Sequence, residues 1–175
     1  MKKTHFKKTA LKYKDLVYSQ AYYFTNNRED AEDITQEVLM KLWRHIENIE
    51  RSYVKAWLLR VARNLCIDSV RRRRDYSLED QNMGNGGEQF ADLIDPAANP
   101  EIDAINKDSL ENVLKIINQL PEKMRSIIIM RDIQDLTYNL IAEAMDLPIN
   151  SVKVYLHRGR KYLMKKYSDI ENQSE

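Results

Sequence analysis

The chain has 175 residues and a mass of 20.7 kDa, room for one compact domain or two small ones, and 43% of its residues are hydrophobic, which argues against wholesale disorder. Its 28 basic and 27 acidic side chains leave a net charge of +1. A single cysteine excludes an intramolecular disulfide and a cysteine-based zinc site, and four glycines with four prolines are too few for a strand-and-turn protein of this length. No apolar run approaches the roughly 18 to 20 residues of a membrane span. The basic N-terminus, MKKTHFKKTALKYKD, lacks the apolar core of a signal peptide. The expectation is an all-α chain without membrane insertion, in a reducing, cytoplasmic compartment.

The near-neutral sum hides segregation. Residues 1–24 carry a net +5, residues 25–50 a net −4, residues 51–76 a net +6 and residues 77–112 a net −8. Basic blocks separated by an acidic one suit two surfaces for a polyanion with a spacer that avoids it; solvated helix faces would look the same. Residues 77–100, SLEDQNMGNGGEQFADLIDPAANP, hold three of the four glycines and two of the four prolines. They lack sustained periodicity and read as a flexible acidic linker, with a short helical turn near Phe90 to Ile94.

In the N-terminal half, Asn27 or Asn26 can cap a helix whose first turn is rich in acids, where the helix dipole favours them. At about 100° per residue, Ala31, Ile34, Val38, Leu42 and His45 form one stripe, and Asp33, Gln36, Glu37, Met40 and Arg44 a second. The second mixes carboxylates, an amide and an exposed methionine; it fits either a docking surface or a plain solvated face. A further helix, Tyr53 to about Arg74, gathers Val54, Leu58, Val61, Ala62 and Leu65 on one side, with Trp57 at the margin. Arg60, Arg63, Asn64 and Arg71 gather on another. Guanidinium groups around an amide suit phosphates and a base edge, and the Arg71-Arg72-Arg73-Arg74 run repels itself unless a polyanion or solvent screens it. Trp57 and Cys66 read as core residues. His5 and His45 have no partners at metal-ligand spacing.

In the C-terminal half, Leu110, Val113, Leu114 and Ile117 predict a helix ending near Leu120, and Pro121 starts another. Thr137 can cap a short helix through Met145. Asp146-Leu147-Pro148 makes a turn, and Asn150 or Ser151 caps the last helix. Helix, tight turn and basic helix within about 30 residues outline a helix-turn-helix. Val152, Leu156, Gly159 and Leu163 should pack inward, with Gly159 admitting the preceding helix. Lys153, Val154, His157, Arg158, Arg160 and Lys161 then face out, where basic side chains can reach phosphates and guanine edges in a major groove.

Four segments in order, DAEDITQEVLMKLW, AWLLRVARNLCIDSVRR, LPEKMRSIIIMRD and IAEAMDLPINSVKVYLHRGRKYL, resemble a bacterial RNA polymerase sigma factor of the small extracytoplasmic-function (ECF) group. The resemblance implies two small helical domains and no catalysis: a region 2 bundle over residues 1–76 and a region 4 helix-turn-helix over residues 108–175, joined by a flexible acidic linker, residues 77–107. It implies core RNA polymerase as partner, through the beta-prime clamp helices and the beta flap, together with promoter DNA and an anti-sigma factor. Asp33, Gln36 and Glu37, with Met40 beside them, match the core-binding motif. Arg60, Arg63, Asn64 and Arg71 would meet the melted minus-10 element, and Ile49, in the loop Glu47 to Ser52, matches a pocket for an unstacked base. Lys153, Val154, Tyr155, His157, Arg158 and Arg160 would lie near the minus-35 element.

Three positions depart from the family pattern. Leu140 stands where a capping-box glutamate is usual, Tyr155 where many relatives carry arginine, and Ile49 where an aromatic is frequent. Two other readings compete. A stand-alone helix-turn-helix regulator binding DNA as a dimer explains the last helix but leaves the Asp33/Gln36/Glu37 and Arg60/Arg63/Asn64 faces unused. A helical hydrolase or metal enzyme has little to work with in three scattered histidines, one cysteine and no glycine-rich phosphate loop. No cofactor is expected.

Overall fold

A computed structural model of the chain describes residues 1–79 and 110–173, so the turn expected near Phe90 to Ile94 lies outside the described residues. Helix α1 spans Lys2–Thr25 and buries Val17, Gln20, Ala21 and Phe24, a 3–4 spacing along one face. It stops at Asn26, which takes the left-handed conformation (φ 52°) and donates its backbone N–H to Tyr22 O at 2.8 Å. The very next residue starts α2 (Arg28–His45): Asn27 is extended, and its side-chain oxygen accepts the Asp30 N–H at 2.8 Å. Of the two asparagines that could cap, one ends a helix and the other begins the next.

Helix α2 places Glu29 and Asp30 in its first turn and Arg44 and His45 in its last, as the dipole favours. Ala31, Ile34, Val38 and Leu42 are buried as predicted, joined by Thr35, whose hydroxyl donates to Ala31 O at 2.6 Å. His45 departs from the stripe. It is exposed, 6.1 Å from the Trp57 ring, and Ile46 takes the buried place at the end of that face. Helix α3 (Val54–Glu79) runs beyond the Arg74 end expected for it. Val54, Ala56, Leu58, Leu59, Ala62, Cys66 and Ile67 close a three-helix bundle with α1 and α2. Ser69 and Arg73 both hold the Asp30 carboxylate, pinning the start of α2 to α3.

The C-terminal half begins with α4 (110–117) and a turn through Leu120. Helix α5 (Glu122–Ile128) starts after Pro121 and continues as a π-helical turn, Ile129–Ile133, closed by Gln134 N–H to Ile129 O at 3.0 Å. That wider winding inserts an extra residue before the chain bends at Asp135 (φ 49°). Helix α6 (Tyr138–Met145) is capped by the Thr137 hydroxyl, which accepts the Leu140 N–H at 3.3 Å; Leu140 offers no carboxylate to accept the Thr137 backbone N–H in return. Asp146 (φ 54°) ends it, and Leu147 N–H reaches back to Ala142 O at 3.0 Å.

Helix α7 (Ile149–Gln173) starts earlier than the expected Asn150 or Ser151 cap. Val152 N–H bonds Pro148 O, which puts both polar residues inside the first turn. Val152, Leu156 and Gly159 are buried and Leu163 is partly so. The close approach at Gly159 comes from α5 rather than from α6, the helix just before it: a Cβ here would meet Ile128 Cγ1 at 3.1 Å and Cδ1 at 3.2 Å. The absence of a side chain there lets α5 lie this close to α7.

The two halves touch. Helix α3 lies against α6, and α1 against the π turn. Buried apolar residues of both halves form one contiguous cluster. Arg125, only 2% exposed, stitches the junction. Its guanidinium donates to Phe24 O at 3.3 Å, to Leu120 O at 3.4 Å and to Asn118 O, and lies 4.8 Å from the centre of the Phe24 ring. Among the described residues no helix is long and apolar enough to cross a membrane.

Candidate nucleic-acid and protein interfaces

Four surfaces gather the chemistry-bearing residues. On α2, Asp33, Gln36 and Met40 are exposed on one face and Glu37 is half-buried beside them, its carboxylate 3.5 Å from Lys41 Nζ. Met40 leaves 55% of its surface in water and Trp43 41%, a large apolar exposure for a charged helix. Phe6 meets Trp43 edge to face at 5.2 Å, and with Leu39, Met40 and Arg44 the pair lines a shallow groove of about 390 Å³. The carboxylate stripe is therefore flanked by an apolar strip. Trp43 stands three residues past Met40 and seven past Gln36 and so shares their face, a spacing legible in the sequence.

The loop between α2 and α3 forms the second surface. Ile49 lines an open cavity of about 470 Å³ with His45, Asn48, Glu50, Tyr53 and Trp57. Two aromatic rings wall it. Glu50 accepts the Ser52 hydroxyl at 2.7 Å, which orients a carboxylate at the rim. An apolar floor, aromatic walls and polar groups at the edge are what a planar heterocycle needs for stacking and edge recognition.

The arginine row of α3 is the third, and its surroundings differ from an open basic face. Arg60 donates from Nη2 to Glu143 O at 2.7 Å and from Nε to Ala144 O at 3.2 Å, at the C-terminal end of α6. Arg71 makes a two-pronged contact with Glu122, Nε to Oε1 at 3.1 Å and Nη2 to Oε2 at 2.9 Å, and this hydrogen bonding raises its pKa. Arg63 is half-buried, which lowers its pKa, and its Nη1 donates to the exposed Asn64 side chain at 3.3 Å. The structure thus brings Arg60, Arg63, Asn64 and Arg71 onto one helix but sets Arg60 and Arg71 against the C-terminal half. Glu122 and the α6 carbonyls had no sequence signal marking them as partners.

The fourth surface is the outer face of α7. Lys153, Val154, His157 and Arg158 are exposed, Val154 by 46%, and Tyr155 is half-buried. Arg160 is turned into a pair with Asp132, Nε to Oδ2 at 3.0 Å, which raises its pKa. The free face offers charged donors with an apolar methyl pair among them, suited to phosphates, guanine edges and thymine methyl groups. Cys66 lies inside the bundle, and burial pushes its thiol pKa up to about 12, so it is a packing residue.

Comparison with known proteins identifies the family. Residues 10–76 match the family model of Sigma-70 region 2, and residues 110–163 that of Sigma-70, region 4. The chain is 32% identical over 162 residues to the ECF RNA polymerase sigma factor SigW of Bacillus subtilis, covering 90% of this chain and 86% of that one. It is 31% identical over 151 residues to the ECF RNA polymerase sigma factor SigE of Mycolicibacterium smegmatis, covering 85% of this chain and 56% of the relative. The sigma factor RpoE of Bartonella quintana, solved in complex with the anti-sigma factor NepR, shares the fold with a TM-score of 0.71 at 23% identity, over 93% of this chain and 96% of that one. Proteins of this family are not catalysts. They bind core RNA polymerase and promoter DNA and direct transcription initiation, and the chain belongs to their ECF group.

Proposed function

We propose that the chain is a cytoplasmic, signal-responsive sigma factor whose four surfaces divide the work of promoter recognition. Residues 1–76 dock on the polymerase through Asp33, Gln36, Glu37 and Met40, and hold the melted minus-10 element with Asn64 and the α3 arginines. The Ile49 cavity takes one unstacked base. Residues 77–107 link this unit to residues 108–175, whose helix α7 lies in the duplex major groove at the minus-35 element. The observation that carries this reading is the free face of α7, Lys153, Val154, His157 and Arg158, presented directly after a capped helix and a left-handed turn. That is the docking geometry of a recognition helix.

No bond chemistry falls to this chain. Each DNA element contributes a few kcal/mol of discrimination, and joining two readers on one polymerase raises the effective concentration of the second once the first is engaged. Unstacking bases costs free energy, which stacking on Tyr53 and Trp57 offsets in part. A protein inhibitor, as RpoE has in NepR, would couple the factor to its signal. Runoff transcription with purified core polymerase and a genomic promoter library tests the reading. Promoter-specific transcripts that appear only when this chain is added support it. Tight binding to an inverted repeat without polymerase, and no transcripts with it, would sink it in favour of a dimeric regulator.

A further inference from the structure

The lysines of α1 are absent from the four surfaces above, and they fall into distinct sets. Lys2 is tied down: its Nζ lies 3.1 Å from the Glu47 carboxylate and 5.1 Å from the centre of the Trp43 ring. Lys3, Lys7 and Lys14 are exposed and, at about 100° per residue, lie within about 40° of one another. Among the described residues none of these three has a carboxylate partner. At 1.5 Å per residue the row is roughly 16 Å long. Leu11, 71% exposed, stands at its edge, and Asp15, the one acid of the helix, falls outside the arc.

This row works against the helix that carries it. The first turn of α1 holds Lys2 and Lys3 with no acid and no side-chain cap, so positive charge meets the positive end of the dipole; α2 is built the opposite way. Lys3 and Lys7 are like charges four residues apart, and Lys8 and Lys12 repeat that spacing, which destabilises a helix. An anion held along the row relieves both penalties. The composition of the row selects the anion. Protein interfaces are depleted in lysine and enriched in aromatic residues and methionine, as the strip of Met40 and Trp43 on α2 is. A helix that lies on lipid sets a broad apolar face beside its basic one, and here Leu11 stands alone. Flexible ammonium groups without apolar neighbours suit phosphates, held by charge and without any reading of bases.

We propose that Lys3, Lys7 and Lys14 form a phosphate-binding row through which α1 grips the DNA backbone. The row adds affinity and salt dependence to a complex whose sequence preference comes from other surfaces. It stands apart from the roles given to α3 and α7, so it can fail while they hold.

The test uses the full chain, fluorescence anisotropy, and two fluorescein-labelled probes, a mixed-sequence duplex of about 30 base pairs and one of its strands, at about 50 to 200 mM NaCl. Lys3→Gln/Lys7→Gln/Lys14→Gln keeps the helix propensity of the row, and ellipticity at 222 nm checks the fold. Its binding should weaken about tenfold or more at the lowest salt, and the slope of log affinity against log salt should shrink by about 2 to 3. A greater loss on the duplex assigns the row to paired DNA, and a greater loss on the strand assigns it to the melted segment. Lys3→Arg/Lys7→Arg/Lys14→Arg, which keeps the charge, should bind like wild type. Lys8→Gln/Lys12→Gln/Lys115→Gln removes the same charge from exposed sites off the row and should stay within about twofold of wild type. An equal loss in that off-row variant would overturn the proposal, because net charge alone would account for it. Unchanged DNA binding by the row variant would overturn it too, and loss of core-polymerase capture in its place would give the row to an acidic protein surface. Arg158→Ala in the same assay reports on α7 separately: a loss there, with none in the row variant, refutes the row and leaves the proposed function standing.

Discussion

Removing the Arg125 guanidinium should destabilise the protein more than any other single truncation of a charged side chain described above. Arg125→Ala leaves three carbonyl oxygens, of Phe24, Asn118 and Leu120, without their donor in a site that admits little water. It also removes the packing of the guanidinium on the Phe24 ring. Hydrogen bonds to a charged donor contribute about 1.5 to 3 kcal/mol each, and burying the charge takes part of that back, so a net loss of about 2 to 4 kcal/mol is expected. Burial lowers the pKa of Arg125, which records the cost side of that balance. With a urea dependence of about 1 to 3 kcal/mol per molar, the unfolding midpoint should fall by about 1 to 2 M. The midpoint is read by circular dichroism at 222 nm for all helices and by tryptophan fluorescence for the N-terminal half, which holds both tryptophans, Trp43 and Trp57. Arg125→Met, which keeps the aliphatic bulk, should lose less. A midpoint for Arg125→Ala within about 0.3 M of wild type would refute the assignment of Arg125 as the stitch between α4, α5 and α1.

The other predictions concern function and pH. Charge reversal at Asp33 or Glu37 should weaken capture of core polymerase in a pull-down by about tenfold or more while leaving the helical spectrum unchanged; equal capture would remove α2 from the docking surface. Arg158→Ala should reduce transcription from promoters that carry a minus-35 element, at a cost of about 1 to 3 kcal/mol in recognition, and leave promoters without one largely unaffected. For Cys66, the folded pKa of about 12 lies above the reference value of 9.0. Its protonated form is favoured by folding, so the associated stability is intact below about pH 9 and drains away between pH 9 and 12, by at most about 4 kcal/mol. Urea midpoints measured across that range against Cys66→Ala isolate the effect, and parallel curves would contradict it.

Local chemistry made much of this fold readable in advance. Asn27 and Thr137 act at the helix starts where short polar side chains belong, and the outward face of α7 follows from its 3.6-residue period. Helix α1 is hard to read from its period because its buried stripe includes Gln20, whose amide nitrogen donates to Leu59 O on another helix. The π turn was hidden inside Ile127-Ile128-Ile129-Met130, an unbroken apolar run in which no period can be read. Among the site residues, grouping on a helix was legible and occupancy was not. Arg60 and Arg71 find partners 51 to 84 positions away, and such pairings depend on how two finished bundles meet. Arg160 likewise belonged to the outward set by period alone, yet Asp132 draws it aside.

The bare backbone at Gly159 has an evolutionary corollary. Because Ile128 already fills the space a methyl at 159 would enter, the two sites should drift as a couple: a lineage that acquires alanine at 159 should carry valine or something smaller at 128. Descendants with the larger residue at both places would need the Ile128 side chain, or the helix that carries it, to give way by a few tenths of an ångström.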